Sequence, residues 1–215
     1  MDTINPWNNI PLADYELHMQ HEDVGQAKLL NSLTGKYLEK YNPENILFLG
    51  ISGGNGLEHI NPDMVKRVCA IDINSLYLAE TRERFGKKIK QLDLVNADIG
   101  ASDESFIKAD FVWAALIFEY VGIEKCFKFI SNNTADHCKL IVTVQSNNGV
   151  QSVSTTGVES VKSVGSIFVT VGKETLTEKA TMFGFECVGS EEHFLPNGKS
   201  LITFEFSKQV ISSVS

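Results

Sequence analysis

The chain has 215 residues, which suits one domain or one domain with a small appendage. Its hydrophobic content of 43% supports a sizeable core, and its formal charge of −8 argues against a nucleic-acid surface, which needs clustered lysine and arginine. A small nucleotide is not excluded. No apolar run is long enough to cross a bilayer, and the first ten residues lack the apolar segment of a signal peptide.

The four cysteines are scattered along the chain without CxxC spacing, which argues against a disulfide framework or a cysteine metal site. They are Cys69, Cys126, Cys138 and Cys187. Three of them lie in or beside apolar runs, so we expect reduced core thiols in a cytoplasmic protein.

The N-terminal part predicts helix over residues 14–41, because apolar residues recur there at roughly helical spacing. A break is expected near His21, and Asn42-Pro43 ends the pattern. We therefore divide the chain into an N-terminal helical segment, 1–42, and a main domain, 43–215.

The main domain opens with Ile46–Leu49, a continuous apolar run that is typical of a strand buried on both faces. The sequence GISGGNG follows directly, at residues 50–56. A strand that ends in a glycine loop indicates that the backbone approaches another group closely. The next residues predict a helix from about Gly54 to Ile60, whose free N–H groups would favour a carboxylate.

Strands and helices then alternate. Val68–Ile71 predicts a second strand that ends at Asp72, and Asn74 or Ser75 would cap a helix that runs to about Ile89. Further strands are predicted at residues 91–98, in the run that starts at residue 109, and at 139–146, with an amphipathic helix at 123–134. This alternation favours right-handed crossovers and a mostly parallel sheet.

The C-terminal part breaks the alternation. A helix over residues 173–185 is followed by two strand-like runs around Pro196-Asn197-Gly198, which is a hairpin signal. The predicted fold class is therefore a Rossmann-like, doubly wound α/β sheet, mostly parallel, with a C-terminal antiparallel hairpin and helices on both faces. Residues 147–172 form an unusually long link, and such links are more often functional than idle.

This order of elements resembles the class I S-adenosylmethionine-dependent methyltransferases, in particular their small-molecule branch. The resemblance covers nearly the whole chain from about residue 45 and rests on GISGGNG, on the strand that ends in Asp72, and on Asp98 in NADIG. It implies S-adenosylmethionine as cofactor, a small-molecule methyl acceptor, and a monomer or homodimer with no nucleic-acid or membrane partner. It also implies that segment 1–42 is a lid over cofactor and substrate.

The resemblance implies specific cofactor contacts. Asp72 would accept hydrogen bonds from the ribose hydroxyls, Ile73 would pack against adenine, and Asp98 would accept from the adenine amino group. Two positions depart from the family pattern, because Phe48 replaces an acid and Ser52 replaces a glycine. The implied cofactor-binding residues are Gly50, Ile51, Ser52, Gly54, Asn55, Gly56, Asp72, Ile73, Asp98 and Ile99.

The acceptor side is less constrained. The Asn- or Asp-Pro-Pro-aromatic motif of nucleic-acid amino methylases is absent after the fourth strand, where Phe118, Glu119 and Tyr120 would edge the pocket. Glu119 could be a base, although a solvated helix acid fits the sequence equally. From the lid we expect Tyr15 and His18 in the pocket, so Tyr15, His18 and Glu119 are the candidate catalytic residues.

No metal site is predicted. His18 and His21 are spaced for one face of a helix, but two histidines alone make a weak site, and solvated or capping side chains fit better.

Two other functions remain open. A nicotinamide-dependent oxidoreductase could use the same loop and Asp72, although the hairpin and the glycine spacing argue against it. A catalytically degenerate nucleoside-binding module is the other alternative. The sequence does not identify the acceptor atom.

Overall fold

A seven-stranded sheet forms the centre of the computed structural model, which describes residues 5–209. The strands are β1 (Asn45–Leu49), β2 (Arg67–Asp72), β3 (Leu92–Asn96), β4 (Ala109–Ala115), β5 (Thr134–Ser146), β6 (Phe185–Phe194) and β7 (Ser200–Lys208). Their order in the sheet is β3-β2-β1-β4-β5-β7-β6. The pairings among β1 to β5 are parallel, whereas β7 runs antiparallel to both β5 and β6. The predicted fold class is confirmed.

Six α-helices accompany the sheet in the described residues: α1 (Leu12–Gln20), α2 (Gln26–Tyr41), α3 (Ser75–Phe85), α4 (Phe118–Val121), α5 (Ile123–Asn132) and α6 (Lys173–Met182). The predicted break at His21 is confirmed, because His21 is in a non-helical conformation and Gly25 precedes α2 at φ +63°. Asn42 ends α2 at φ +43° and donates its backbone N–H to the Leu38 carbonyl. No helix within residues 5–209 is long and apolar enough to span a membrane.

Side chains from the two faces of the sheet form two separate cores. Leu47 and Leu49 of β1 pack with α5 and α6, whereas Ile46 and Phe48 pack with α1 and α2. Because successive side chains of a strand point to opposite faces, β1 must be apolar throughout. Full burial of each large side chain contributes roughly 1.5–3 kcal/mol. Cys69, Cys126 and Cys138 are buried free thiols, as the sequence predicts.

The helix predicted from Gly54 to Ile60 is wrong. The glycine loop leads only into a 3₁₀ turn, Leu57–His59, and then directly to β2. Gly54 and Gly56 have φ of +89° and +95°, in the left-handed region, so a right-handed helix cannot run through them.

Two further boundaries differ from the prediction. Helix α3 ends at Phe85 rather than near Ile89, and the Gly86 N–H closes its last turn by donating to the Arg82 carbonyl. Strand β5 begins at Thr134, earlier than predicted, because its first residues pair with Ala109 next to an irregularity in β4.

Candidate functional site

A cavity of about 340 Å³ lies at the carboxyl ends of the parallel strands. Gly50 follows β1, Asp72 ends β2, Asp98 follows β3, and Ala115 ends β4, and all four line it. Strand order reverses between β1 and β4, so this is the topological switch point at which open parallel sheets bind ligands. The volume is within the range of small-molecule sites.

Asp72 connects the cavity to the glycine loop. Asp72 is only 7% exposed. Its Oδ2 accepts a hydrogen bond from the Ser52 backbone N–H at 2.8 Å, and its Oδ1 accepts one from the Asn74 backbone N–H at 2.9 Å. Burial raises the pKa of this carboxyl, while the backbone hydrogen bonds oppose the shift. Each oxygen retains acceptor capacity for a ligand, since a carboxylate offers about four lone-pair sites.

The structure divides the ten predicted cofactor residues between two places. Six line the cavity: Gly50, Ser52, Asp72, Ile73, Asp98 and Ile99. Ile51, Gly54 and Asn55 instead line an adjoining recess of about 230 Å³ beneath α1 and α2, together with Phe48, whereas Gly56 lines neither space. Gly50 and Ser52 line both the cavity and this recess. Phe48 is 1% exposed and belongs to the core under these helices, so it presents no group to the cavity.

Glycine is required at different positions of the loop for different structural reasons. A Cβ on Gly54 would lie 2.6 Å from Cε2 of Phe85, and one on Gly56 would lie 2.7 Å from Cγ2 of Thr34. Both glycines therefore permit close packing of the loop on α3 and α2. Gly50, at φ +71°, is the loop glycine with positive φ that lines the cavity.

Asp98 stands in an exposed turn. Its Oδ1 accepts the Gly100 N–H at 2.8 Å, and Ala97 and Ile99 on either side of it also line the cavity. In this arrangement the carboxylate can accept a hydrogen bond from a ligand, and the two apolar side chains can contact the faces of a flat ring.

Helix α1 brings Tyr15 and His18 to the cavity. His18 is 8% exposed, and its Nδ1 shares a hydrogen bond of 2.8 Å with Oγ1 of Thr156. Burial lowers the His18 pKa to about 4, so its ring is neutral at pH 7. The interpretation of His18 as a solvated side chain is wrong.

The two histidines of the N-terminal segment do not converge on one point. Nδ1 of His21 accepts the Asp23 backbone N–H at 3.3 Å, whereas His18 bonds to Thr156. Among residues 5–209, no three His, Cys, Asp or Glu side chains form a group that could hold a metal ion.

Glu119 is buried at the cavity wall, so its interpretation as a solvated helix acid is wrong. The residue is 1% exposed, and Oε1 accepts the Gln145 backbone N–H at 2.7 Å. Oε2 has no hydrogen-bond partner among the described residues. Burial raises the Glu119 pKa to about 7. Leu116, between β4 and α4, has φ +54°, an uncommon conformation for a residue other than glycine.

Sequence reasoning missed Lys199, which lines the same cavity from the start of the hairpin's second arm. This residue is 2% exposed, and its Nζ donates to the Ser152 carbonyl at 2.7 Å and to Ser154 Oγ at 2.8 Å. Burial lowers the Lys199 pKa to about 8. The only signal in the sequence is a lysine after a tight turn, where a solvated side chain is the ordinary expectation.

Two glutamines complete this side of the cavity. Gln145 donates through Nε2 to the Ser152 carbonyl at 2.8 Å and accepts from Gln26 Nε2 at 2.7 Å. The long link that contains Ser152 also contributes Val153, Val161, Val164 and Phe168 to the lining.

Aromatic rings cover the outer part of the cavity. Trp7 packs edge-on against Tyr15 and Tyr120, with centroids 5.8 and 5.0 Å apart, and Tyr120 contacts Phe168 at 5.8 Å. The N-terminal residues and the long link therefore meet over the cavity.

No protein-family model and no curated protein sequence matches this chain. Solved structures do match it. Magnesium protoporphyrin IX methyltransferase (ChlM) from Synechocystis PCC 6803 with bound SAM has a TM-score of 0.69 at 12% identity, covering 97% of this chain and 100% of that chain. The fold is that of class I S-adenosylmethionine-dependent methyltransferases.

Other structures with this fold differ in activity. N-methyltransferase NodS from Bradyrhizobium japonicum WM9, in complex with S-adenosyl-L-homocysteine, has a TM-score of 0.61 at 14% identity, covering 96% of this chain and 93% of that chain. The [4+2]-cyclase SpnF has a TM-score of 0.66 at 12% identity, covering 84% and 81%. Because one of these proteins is a cyclase, the reaction must be argued from the site.

Proposed function

We propose that this protein transfers a methyl group from S-adenosylmethionine to a small-molecule acceptor. The observation that carries the proposal is the arrangement of Gly50, Asp72 and Asp98 at the ends of three adjacent strands around one cavity. This arrangement supports the proposal, because Gly50 allows a close backbone approach, and the two carboxylates can accept hydrogen bonds from ribose hydroxyls and from an adenine amino group.

The polar and apolar side chains that line the cavity fit this cofactor. Asp72 would bind the ribose, Asp98 the adenine amino group, and Ile73 and Ile99 the faces of the ring. The predicted helix N-terminus is absent, so the amino-acid tail must be held elsewhere. Ser52 and Tyr15 are polar side chains at the glycine-loop end of the cavity, and we assign them this role.

In the reaction, the chain's residues orient the acceptor and accept its proton. S-adenosylmethionine supplies an electrophilic methyl group, so positioning can provide most of the acceleration. Glu119 lines the cavity, its Oε2 is buried without a hydrogen-bond partner, and its pKa is about 7, which fits a general base for an acceptor that must lose a proton.

The two alternatives gain less support. A nicotinamide dinucleotide would need a helix N-terminus for its pyrophosphate, and the 3₁₀ turn Leu57–His59 is too short to provide one. A nucleoside-binding module without catalysis shares the cofactor contacts but has no use for the unpartnered Glu119 oxygen.

Calorimetric titration with S-adenosylhomocysteine and with NAD tests the proposal. We expect micromolar binding of S-adenosylhomocysteine only, weakened by about 1–3 kcal/mol in Asp72→Ala because ribose hydroxyls lose their acceptor. Asp110→Ala is the matched control, since Asp110 also accepts two backbone N–H groups, those of Glu44 and Asn45, but does not line the cavity. Absence of S-adenosylhomocysteine binding, or equal weakening by both variants, would contradict the proposal.

A further inference from the structure

Lys199 is a buried cation without an ionic partner. Within residues 5–209, no carboxylate oxygen lies within 4.0 Å of its Nζ, whereas two exposed lysines of α2, Lys36 and Lys40, pair with Glu191 and Glu205. Burying an ammonium is costly unless another charge compensates it. The two oxygens that Lys199 contacts, the Ser152 carbonyl and the Ser154 hydroxyl, are neutral.

The bonds to Ser152 and Ser154 leave one donor free. An ammonium has three N–H donors, and two are used. Lys199 lines the cavity, so the remaining donor and the whole positive charge are available to a ligand there. Anchoring the long link would need only a neutral donor, so the charge itself is unexplained by the chain.

A hydrogen-bonded network joins this ammonium to Glu119. The Ser152 carbonyl accepts from both Lys199 Nζ and Gln145 Nε2, and the Gln145 backbone N–H donates to Glu119. His18 also lines this side of the cavity. Its ring is neutral at pH 7, so it does not compete with Lys199 for an anion. The wall of the cavity thus contains an ammonium and, joined to it by hydrogen bonds, a carboxylate whose Oε2 is buried without a partner.

We propose that Lys199 binds an anionic oxygen group of the methyl acceptor, so that the acceptor is a small molecule with both an anionic group and a methylatable atom. The identification of the bound anion as the methyl acceptor rests on the proposed function, whereas anion binding at Lys199 does not depend on it. An anion at Lys199 orients the rest of the molecule along the network towards Glu119. The rings of Tyr15, Tyr120 and Phe168 would contact its apolar part.

The test compares two anions with a neutral amide that has the shape of one of them. Phenylacetate, phenylphosphonate and phenylacetamide are titrated at constant ionic strength and followed by ligand-observed NMR, with and without S-adenosylhomocysteine. We expect the wild-type protein to bind at least one anion about tenfold or more tightly than the amide, as a charge-assisted hydrogen bond predicts. A preference for phenylacetate or for phenylphosphonate distinguishes a carboxylate from a phosphate acceptor.

Three variants identify the residue. Lys199→Met should abolish the anion preference, and Lys199→Arg should retain part of it. Lys28→Met should keep it in full, because Lys28 is an exposed lysine of α2 that does not line the cavity. If Lys199 only anchors Ser152 and Ser154, Lys199→Met lowers the melting temperature but leaves the ratio of anion to amide binding unchanged.

The outcomes separate the two proposals. An anion preference that survives Lys199→Met, or the lack of any Lys199-dependent anion binding at millimolar concentration, overturns the anion site. If Lys199→Met does not fold, the wild-type and Lys199→Arg titrations still decide it. Anion binding without S-adenosylhomocysteine binding would instead reject the proposed function and keep the anion site.

Discussion

Glu119 and Gln145 are 26 residues apart in sequence, and the Gln145 backbone N–H donates to Glu119 Oε1 at 2.7 Å. The bond holds one carboxylate oxygen at the end of β5, and the other oxygen is buried without a hydrogen-bond partner in the wall of the cavity that both residues line. A buried carboxyl with one backbone hydrogen bond is poorly compensated when it ionises. This relationship explains why burial raises the Glu119 pKa to about 7 and yields two predictions.

Glu119→Gln should change how stability depends on pH. The folded-state pKa is above the unfolded value, so the wild-type protein loses stability as pH rises through about 7, where Glu119 ionises in the folded state. The variant lacks this loss. Its stability relative to wild type should rise by about 3 kcal/mol between pH 5 and pH 8, given 1.36 kcal/mol per pKa unit.

Urea unfolding at several pH values measures this difference. Glu83→Gln, at an exposed position of α3, is the control and should show no such change. A constant difference between wild type and Glu119→Gln across this pH range would show that the Glu119 carboxyl does not titrate there.

Glu119→Gln should also slow methyl transfer to an acceptor that must lose a proton. The expected loss in kcat is about 10²–10⁴-fold, the usual contribution of a general base. Wild-type activity should fall as pH drops through about 7, since Glu119 becomes protonated, and the variant should lack this limb. Steady-state rates against pH check this, and titration with S-adenosylhomocysteine should show unchanged cofactor binding. An unaltered pH profile in the variant would assign the proton to another group.

Gly54→Ala should destabilise the fold through packing rather than through ligand contact. The new Cβ would meet Phe85 at 2.6 Å with φ at +89°, so the cost combines about 1–2 kcal/mol of backbone strain with about 1–3 kcal/mol of overpacking. Gly149→Ala is the matched control, because its φ is +87° and nothing lies within 4 Å of its Cβ position.

Chemical denaturation of both variants, repeated in a Phe85→Ala background, separates the two terms. Removing the ring should reduce the cost of Gly54→Ala to that of Gly149→Ala. If Gly54→Ala keeps full stability but loses S-adenosylhomocysteine binding, the glycine serves the ligand instead.

The sequence by itself determined the elements and their order. Buried strand β1, the break at His21, Asp72 at a strand end and the hairpin around Pro196-Asn197-Gly198 all follow from periodicity and turn chemistry. These signals are local, because each depends on residues within a few positions of one another. The predicted Gly54–Ile60 helix was wrong for the same reason, since its apolar spacing does not reveal that Gly54 and Gly56 adopt positive φ.

Only the tertiary structure decided the environment of the charged side chains. Glu119 looks like an ordinary acid in a short helix, and Lys199 looks like an ordinary lysine after a turn. Their burial depends on Gln145 and Ser152, which are 26 and 47 residues away in sequence. Burial and partner choice set the pKa of a group and its availability to a ligand, and both are properties of the assembled sheet and its covering segments rather than of neighbouring residues.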